Sequence, residues 1–216
     1  MRPRLSWPDL RDRPVGVWGA RVEGRASIRK LRSLGAEPRV LVDDGLAGPV
    51  EGLDVLRSDA GGLDALAGCD VVVKSPGISR YDPAVARLEE AGVAVAGGLG
   101  LWLEEVDRSR VICVTGTKGK STTAAVADHL AAGLGRRCFL GGNIGRPPWD
   151  PEATGDYDLW VVEASSYQAA DVASSPPVVA VTSLHPDHLD WHGDAERYYS
   201  DKLSLCSQPG ADLTVA

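Results

Sequence analysis

Val111-Ile112-Cys113-Val114-Thr115-Gly116-Thr117-Lys118-Gly119-Lys120-Ser121-Thr122-Thr123 joins an apolar run to an amphipathic one through a turn rich in glycine and lysine. Consecutive apolar residues predict a buried strand over Val111–Thr115. Ala127, Leu130, Ala131 and Leu134 keep helical spacing and predict a helix over 121–134. A strand that enters a helix through glycines lets backbone N–H groups converge on phosphate oxygens, with the positive helix end behind them. Gly116, Thr117, Lys118, Gly119, Lys120, Ser121 and Thr122 are therefore the candidate ATP-phosphate site. Lys120 is expected to reach the β- and γ-phosphates, and the Ser121 or Thr122 hydroxyl to help hold Mg²⁺. The plainer alternative, a strand-to-helix turn with incidental lysines, does not account for so many phosphate-compatible groups in one loop. The segment lacks the first glycine of GxxxxGK[ST].

Outward from this loop, short apolar runs alternate with helical patterns. Strands are expected at Val15–Trp18, 39–42, 71–73 and 93–96 on one side, and at 159–162 and 178–182 on the other. Ala26, Ile28, Leu31 and Leu34 mark a helix closed by Gly35, and Pro83 opens another that Gly92 stops. Strands alternating with helices predict an α/β fold with parallel sheets. The charged stretch 107–110 is read as a linker between domains at 1–106 and 107–216. The run 211–216 reads as a strand just beginning, so the second domain is expected to be incomplete.

The chain has 216 residues and a net charge of −7, from 23 basic and 30 acidic side chains. That balance argues against a nucleic-acid partner, which needs a basic surface to displace counterions. Cys69, Cys113, Cys138 and Cys206 lie far apart without a CxxC pair and read as free thiols in a reducing compartment. No segment reaches the roughly 20 apolar residues of a membrane span, and residues 1–14 lack the apolar core of a secretion signal. The expectation is a cytoplasmic protein with no membrane contact.

The loop Thr115–Thr123 resembles the TGTNGKTT segment of the Mur ligase family, with Lys118 in place of Asn and Ser121 in place of Thr. Further segments match that family in order. Gly142-Asn143-Ile144-Gly145 resembles its GNIG segment, which implies that Asn143 seats the muramoyl substrate. Glu163-Ala164-Ser165-Ser166-Tyr167-Gln168 resembles ELSSFQ, implying Mg²⁺ ligation by Glu163 and substrate contact by Ser165. Asp187-His188-Leu189-Asp190-Trp191-His192 resembles DHxDxH, implying His188 as a second metal ligand. Tyr198-x-x-x-Lys202 resembles YxxxK, implying a carbamylated Lys202 that positions a second Mg²⁺. On residue chemistry alone, Glu163 could be a solvated strand-end acid and Lys202 a solvated helix residue. His185, His188 and His192 could also supply three zinc ligands.

Residues 1–106 resemble the Rossmann-like UDP-binding domain of the family's MurD-like branch. Gly19 lies in the first βα turn, Asp43 ends the second strand near the uracil contact, and Ser75-Pro76-Gly77 resembles the SPG loop along the diphosphate. Residues 107–216 then correspond to part of the central ATP-binding domain, and the family's C-terminal glutamate-binding domain is expected to be absent. The resemblance implies an ATP-dependent amide ligase of peptidoglycan synthesis, acting as a monomer on UDP-N-acetylmuramoyl-L-alanine and glutamate through an acyl phosphate. Lys120, His188 and Lys202 would be its catalytic residues, with two Mg²⁺ ions. The 216 residues alone are expected to bind the UDP substrate and turn over poorly. D-glutamate is the first expectation for the amino acid. The variant residues Lys118 and Ser121 and the turn 21–25 leave L-glutamate open, as does a non-catalytic nucleotide-binding module.

Overall fold

Runs such as Val15–Trp18 and Val71–Lys74 are buried along their whole length, which requires that both faces of their sheet be covered. The computed structural model describes residues 2–153 and 155–216. Its first half orders β1 (Val15–Trp18), α1 (Val22–Ser33), β2 (Val40–Val42), β3 (Val55–Leu56), α2 (Leu63–Ala67), β4 (Val71–Lys74), α3 (Pro83–Glu90), β5 (Ala94–Gly97) and α4 (Gly98–Glu105). The second half follows with β6 (Val111–Thr115), α5 (Lys120–Gly133), β7 (Cys138–Gly142), β8 (Leu159–Glu163), α6 (Ser166–Ala169) and β9 (Val178–Val181). It closes with α7 (Leu189–His192), α8 (Ala195–Lys202), α9 (Ser204–Ser207) and β10 (Leu213–Val215).

Two five-stranded parallel sheets result, ordered β3-β2-β1-β4-β5 and β10-β9-β6-β8-β7. The expected α/β fold class and its parallel sheets are therefore present, and every strand predicted from apolar runs forms. Helix ends follow local chemistry. Pro83 occupies the first turn of α3 and Asp82 caps it through Ala84 N–H. Gly35, at φ 79°, ends α1 in the left-handed region that suits glycine. The stretch 107–110 is a single 3-10 turn over Arg108–Arg110, capped by Asp107. One apolar cluster runs across it from Trp7 and Leu99 to Val111, Trp149 and Val162, so the two sheets share a core.

Helix α1 crosses the end of β1 closely. A Cβ added at Gly24 would lie 1.8 Å from the Gly19 carbonyl oxygen, which is backbone and cannot turn aside. Gly24→Ala is expected to displace α1 and cost about 2 kcal/mol, within the range for overpacking a close contact. Urea unfolding of the variant checks this; a midpoint equal to that of the parent would count against so tight a crossing.

In each sheet the carboxyl ends of the strands share one edge, because all pairings are parallel. Ligand crevices of α/β sheets form at that edge. Gly19, Asp43 and Ser75 follow β1, β2 and β4. Gly116 and Asn143 follow β6 and β7, and Glu163 ends β8.

Candidate active site

The loop between β6 and α5 is held from outside. Thr117 N–H donates to Ser183 O at 2.8 Å, Lys118 N–H to Ser183 Oγ at 2.9 Å, and Thr182 Oγ1 to Lys118 O at 2.5 Å. Gly116 sits at φ 140°, and a Cβ there would meet Thr182 Oγ1 at 2.1 Å. Only glycine allows β9's continuation to approach so closely. Gly119, at φ 87°, starts α5. Lys120 Nζ lies across the loop and donates to Gly116 O at 3.0 Å and Thr117 O at 3.2 Å.

Beside the loop, Glu163 is 1 % exposed. Its Oε2 accepts from Ser121 Oγ at 2.7 Å and its Oε1 from Asn143 Nδ2 at 2.9 Å. Three residues picked out separately in the sequence thus form one hydrogen-bonded chain. A carboxylate next to a loop hydroxyl is an oxygen pair suited to a hard cation, so these residues fit Mg²⁺. Lys202 is buried and donates from Nζ to Gly116 O at 2.9 Å. Burial, and then repulsion from Lys120, pushes its pKa down to about 8. Tyr198 joins the loop through a 2.7 Å bond between its hydroxyl and Thr117 Oγ1.

His188 stands apart from that chain. It caps α7 in the left-handed region at φ 51°, with Asp187 Oδ2 3.7 Å from its Nε2 and the Tyr167 ring 5.0 Å away. The three-histidine alternative does not form. His192 is fully buried with Nδ1 on Asp201 Oδ2 at 2.7 Å and Nε2 on Ser166 Oγ at 3.0 Å, while His185 and His188 are exposed. Among the described residues no group of three or more histidine, cysteine, aspartate or glutamate side chains could hold a metal. A site completed by a hydroxyl and a modified lysine falls outside such groups.

Over the first sheet, a cleft of about 450 Å³ is lined by Gly19, Asp43, Ser75, Pro76 and Gly77, all of them picked out in the sequence, and by Arg21 and Glu23. Asp43 accepts from Ala20 N–H and Gly45 N–H, each at 2.8 Å, so its carboxylate shapes the turn that borders the cleft. Ser75 Oγ donates to Gly19 O at 3.0 Å and ties the two glycine-bearing loops together. Sequence reasoning missed the role of Glu23. Burial raises its carboxyl to about 8, opposed by the hydrogen bond from Gln168 Nε2 at 2.7 Å. Gln168 in turn accepts from Ser165 N–H at 2.8 Å, and Ser165 Oγ accepts from Gln168 N–H at 3.2 Å, so Ser165 is set by the cap of α6. No local sequence signal could have paired Glu23 with a residue 145 positions away. A wider cavity of about 830 Å³ between Arg2, Arg80 and Pro209 contains none of the candidate residues.

Residues 114–215 match the Mur ligase middle domain. Across 98 % of its length the chain is 43 % identical to a UDP-N-acetylmuramoyl-L-alanine--L-glutamate ligase of Micromonospora sp., and covers 47 % of that protein. A ligase of the same name from Salinispora tropica is 43 % identical over 94 % of the chain, which covers 45 % of it. Another from Xanthomonas euvesicatoria pv. vesicatoria is 40 % identical over 92 % of the chain, which covers 46 % of it. The chain spans about half the length of these curated relatives. Among solved structures, UDP-N-acetylmuramate:L-alanyl-gamma-D-glutamyl-meso-diaminopimelate ligase from Neisseria meningitides superposes with a TM-score of 0.55 at 24 % identity, over 94 % of this chain and 70 % of that one. UDP-N-acetylmuramate-alanine ligase from Thermotoga maritima does so with a TM-score of 0.51 at 20 % identity, over 94 % and 48 %. These two likenesses concern the fold.

Proposed function

We propose that the chain, which matches the Mur ligase middle domain over its second half and resembles the ligases above along nearly its whole length, is the UDP- and ATP-binding part of a Mur-family ligase joining glutamate to UDP-N-acetylmuramoyl-L-alanine. Residues 1–106 would hold the UDP substrate and 107–216 the ATP. The observation that carries this reading is the Ser121–Glu163–Asn143 chain beside a glycine loop that holds both Lys120 and Lys202. ATP as a co-substrate supports a cytoplasmic setting.

In this proposal the γ-phosphoryl group passes to the substrate carboxylate, and the glutamate amine then displaces phosphate from the acyl phosphate. The first step brings two anions together, so charge neutralisation and positioning dominate. Lys120 leaves its loop carbonyls to meet the phosphates. Loop N–H groups and the start of α5 bind them from below. Asn143 orients the muramoyl part while its amide stays on Glu163. Ser121, Glu163, His188 and Lys202 would hold Mg²⁺, which supplies Lewis-acid neutralisation of the phosphoryl oxygens. The carbamylation of Lys202 and the count of two ions belong to the same proposal.

For the amino acid we take L-glutamate, the isomer in the names of relatives 40–43 % identical to this chain. ADP release by the protein in its full encoded length, with UDP-N-acetylmuramoyl-L-alanine and either isomer, tests both points. Stimulation by L-glutamate about tenfold or more above that by D-glutamate is expected, the difference one well-placed polar contact can command. The reverse preference would restore D-glutamate. ATP binding without stimulation by either isomer would favour a binding module over a ligase.

A further inference from the structure

We propose that Trp191 is a positioning residue that couples occupancy of the UDP cleft to the geometry of the phosphate site, an inference that rests on the assignment of those two sites above. The loop after β4 and the segment from α7 to α8 are joined by hydrogen bonds from three side-chain donors. Trp191 Nε1 donates to Pro76 O at 3.0 Å, across 115 positions of sequence. Ser79 Oγ donates to Trp191 O at 2.7 Å. Tyr81 OH donates to the Asp201 carboxylate, at 2.8 Å from Oδ1.

Each end of this junction touches proposed machinery. Pro76 lines the cleft. Trp191 lies in α7, whose N-cap is His188, and Asp201 is next to Lys202 in α8. The indole is 8 % exposed and stacks on Tyr167 at 4.7 Å with a 24° tilt. Tyr167 itself lies two residues beyond Ser165. The ring is therefore fixed by its face, while its one donor is committed to the cleft loop. A ligand that shifts Pro76 must either break that bond or carry α7 with it. The two sites are coupled if each ligand interacts differently with the two arrangements of this junction. An aromatic chosen only to fill the space would need no N–H.

The test is a pair of titrations on the protein in its full encoded length, using UDP-N-acetylmuramoyl-L-alanine and Mg²⁺ with the β,γ-imido analogue of ATP. The measured quantity is the ratio of the analogue's Kd without and with the UDP ligand. Trp191→Phe keeps the stacked ring and removes the donor. It is expected to lower the coupling ratio by about three- to tenfold, the range one buried hydrogen bond commands. Each ligand alone should bind as it does to the parent. Ser79→Ala cuts the second bond without touching the indole, is expected to lower the ratio as well, and decides the matter should Trp191→Phe not fold. A parent ratio of one, unchanged ratios in the variants, or an equal loss of both single-ligand affinities would overturn the inference. A parent protein that binds neither ligand would overturn the site assignment along with it.

Discussion

Lys120→Ala is expected to lower ATP-dependent amide formation by about 10²- to 10³-fold, the loss typical of removing one preorganised charge partner from a transition state. The charge is needed because, in the proposed reaction, phosphoryl transfer unites a phosphate with a carboxylate. A unit charge about 4 Å from another is worth roughly 4 kcal/mol at the effective dielectric of a partly exposed site. The loop should survive the substitution. Its shape is set by Ser183 and Thr182, which bind Thr117 and Lys118, and by the close approach at Gly116. Lys120 adds two bonds to loop carbonyls, and one of those, Gly116 O, keeps Lys202 as a donor. A stability loss near 1 kcal/mol is therefore expected. Lys118 offers the contrast: it is exposed, and its loop contacts run through its backbone N–H and carbonyl. Lys118→Asn should change kcat by less than about fivefold, since a solvated charge is screened. Turnover within tenfold of the parent in Lys120→Ala, with the fold intact by circular dichroism, would remove Lys120 from the proposed role.

What the sequence made legible follows from the range of the forces involved. β1, β4 and β6 could be read because strands covered on both faces are apolar along almost their whole length. The loop could be read because glycine, lysine and hydroxyl residues act there through local backbone geometry. β3 and β7 escaped for a related reason. Val55–Leu56 is a partly exposed two-residue edge strand, and Cys138–Gly142 ends in two glycines that read as a turn; pairing with β8 makes it a strand. Placement across the seam was not legible at all. His192 could be a ligand on paper, but its nitrogens are spent on Asp201 and Ser166. Lys74 and Asp171, 97 positions apart, form a fully enclosed ion pair at 2.5 Å only because the turn after α6 packs against Gly97 and Gly100, beside the end of β4. The polarity of 107–110 is local information and could be read, whereas the apolar cluster with members on both sides of that stretch could not.

Lys202→Met is expected to lower turnover by about 10³-fold, yet to make the protein more stable than a parent kept free of carbon dioxide at neutral pH, a combination typical of strained functional sites. Lys202 is 2 % exposed, and burial with repulsion from Lys120 brings its pKa from 10.5 to about 8. A lowered pKa means the folded state disfavours the ammonium. Between pH 8 and 10.5 the unfolded chain binds more protons than the folded one, so stability rises with pH across that window. Below pH 8 the full penalty applies, on the order of 3 kcal/mol for that gap. Methionine fills similar volume without charge, and loss of the bond to Gly116 O gives back about 1 kcal/mol. With carbon dioxide removed, so that Lys202 stays an amine, urea unfolding should therefore find Lys202→Met more stable than the parent by about 1–3 kcal/mol at pH 7. The advantage should shrink as pH rises toward 10.5. A less stable variant at pH 7 would show that the buried ammonium carries no such penalty. The same shift prepares the chemistry. At pH 7 roughly a tenth of such an amine is neutral, against less than about a thousandth of an ordinary lysine. The neutral nitrogen can attack carbon dioxide, lose its proton and become an anion, which turns repulsion from Lys120 into attraction. With ¹³C-labelled carbon dioxide, the parent should give a carbamate resonance that Lys202→Met lacks, and removal of carbon dioxide should depress turnover of the parent. A parent without that resonance would leave Lys202 as a cation in the site, and its burial beside Lys120 would then have to be justified by binding phosphate directly.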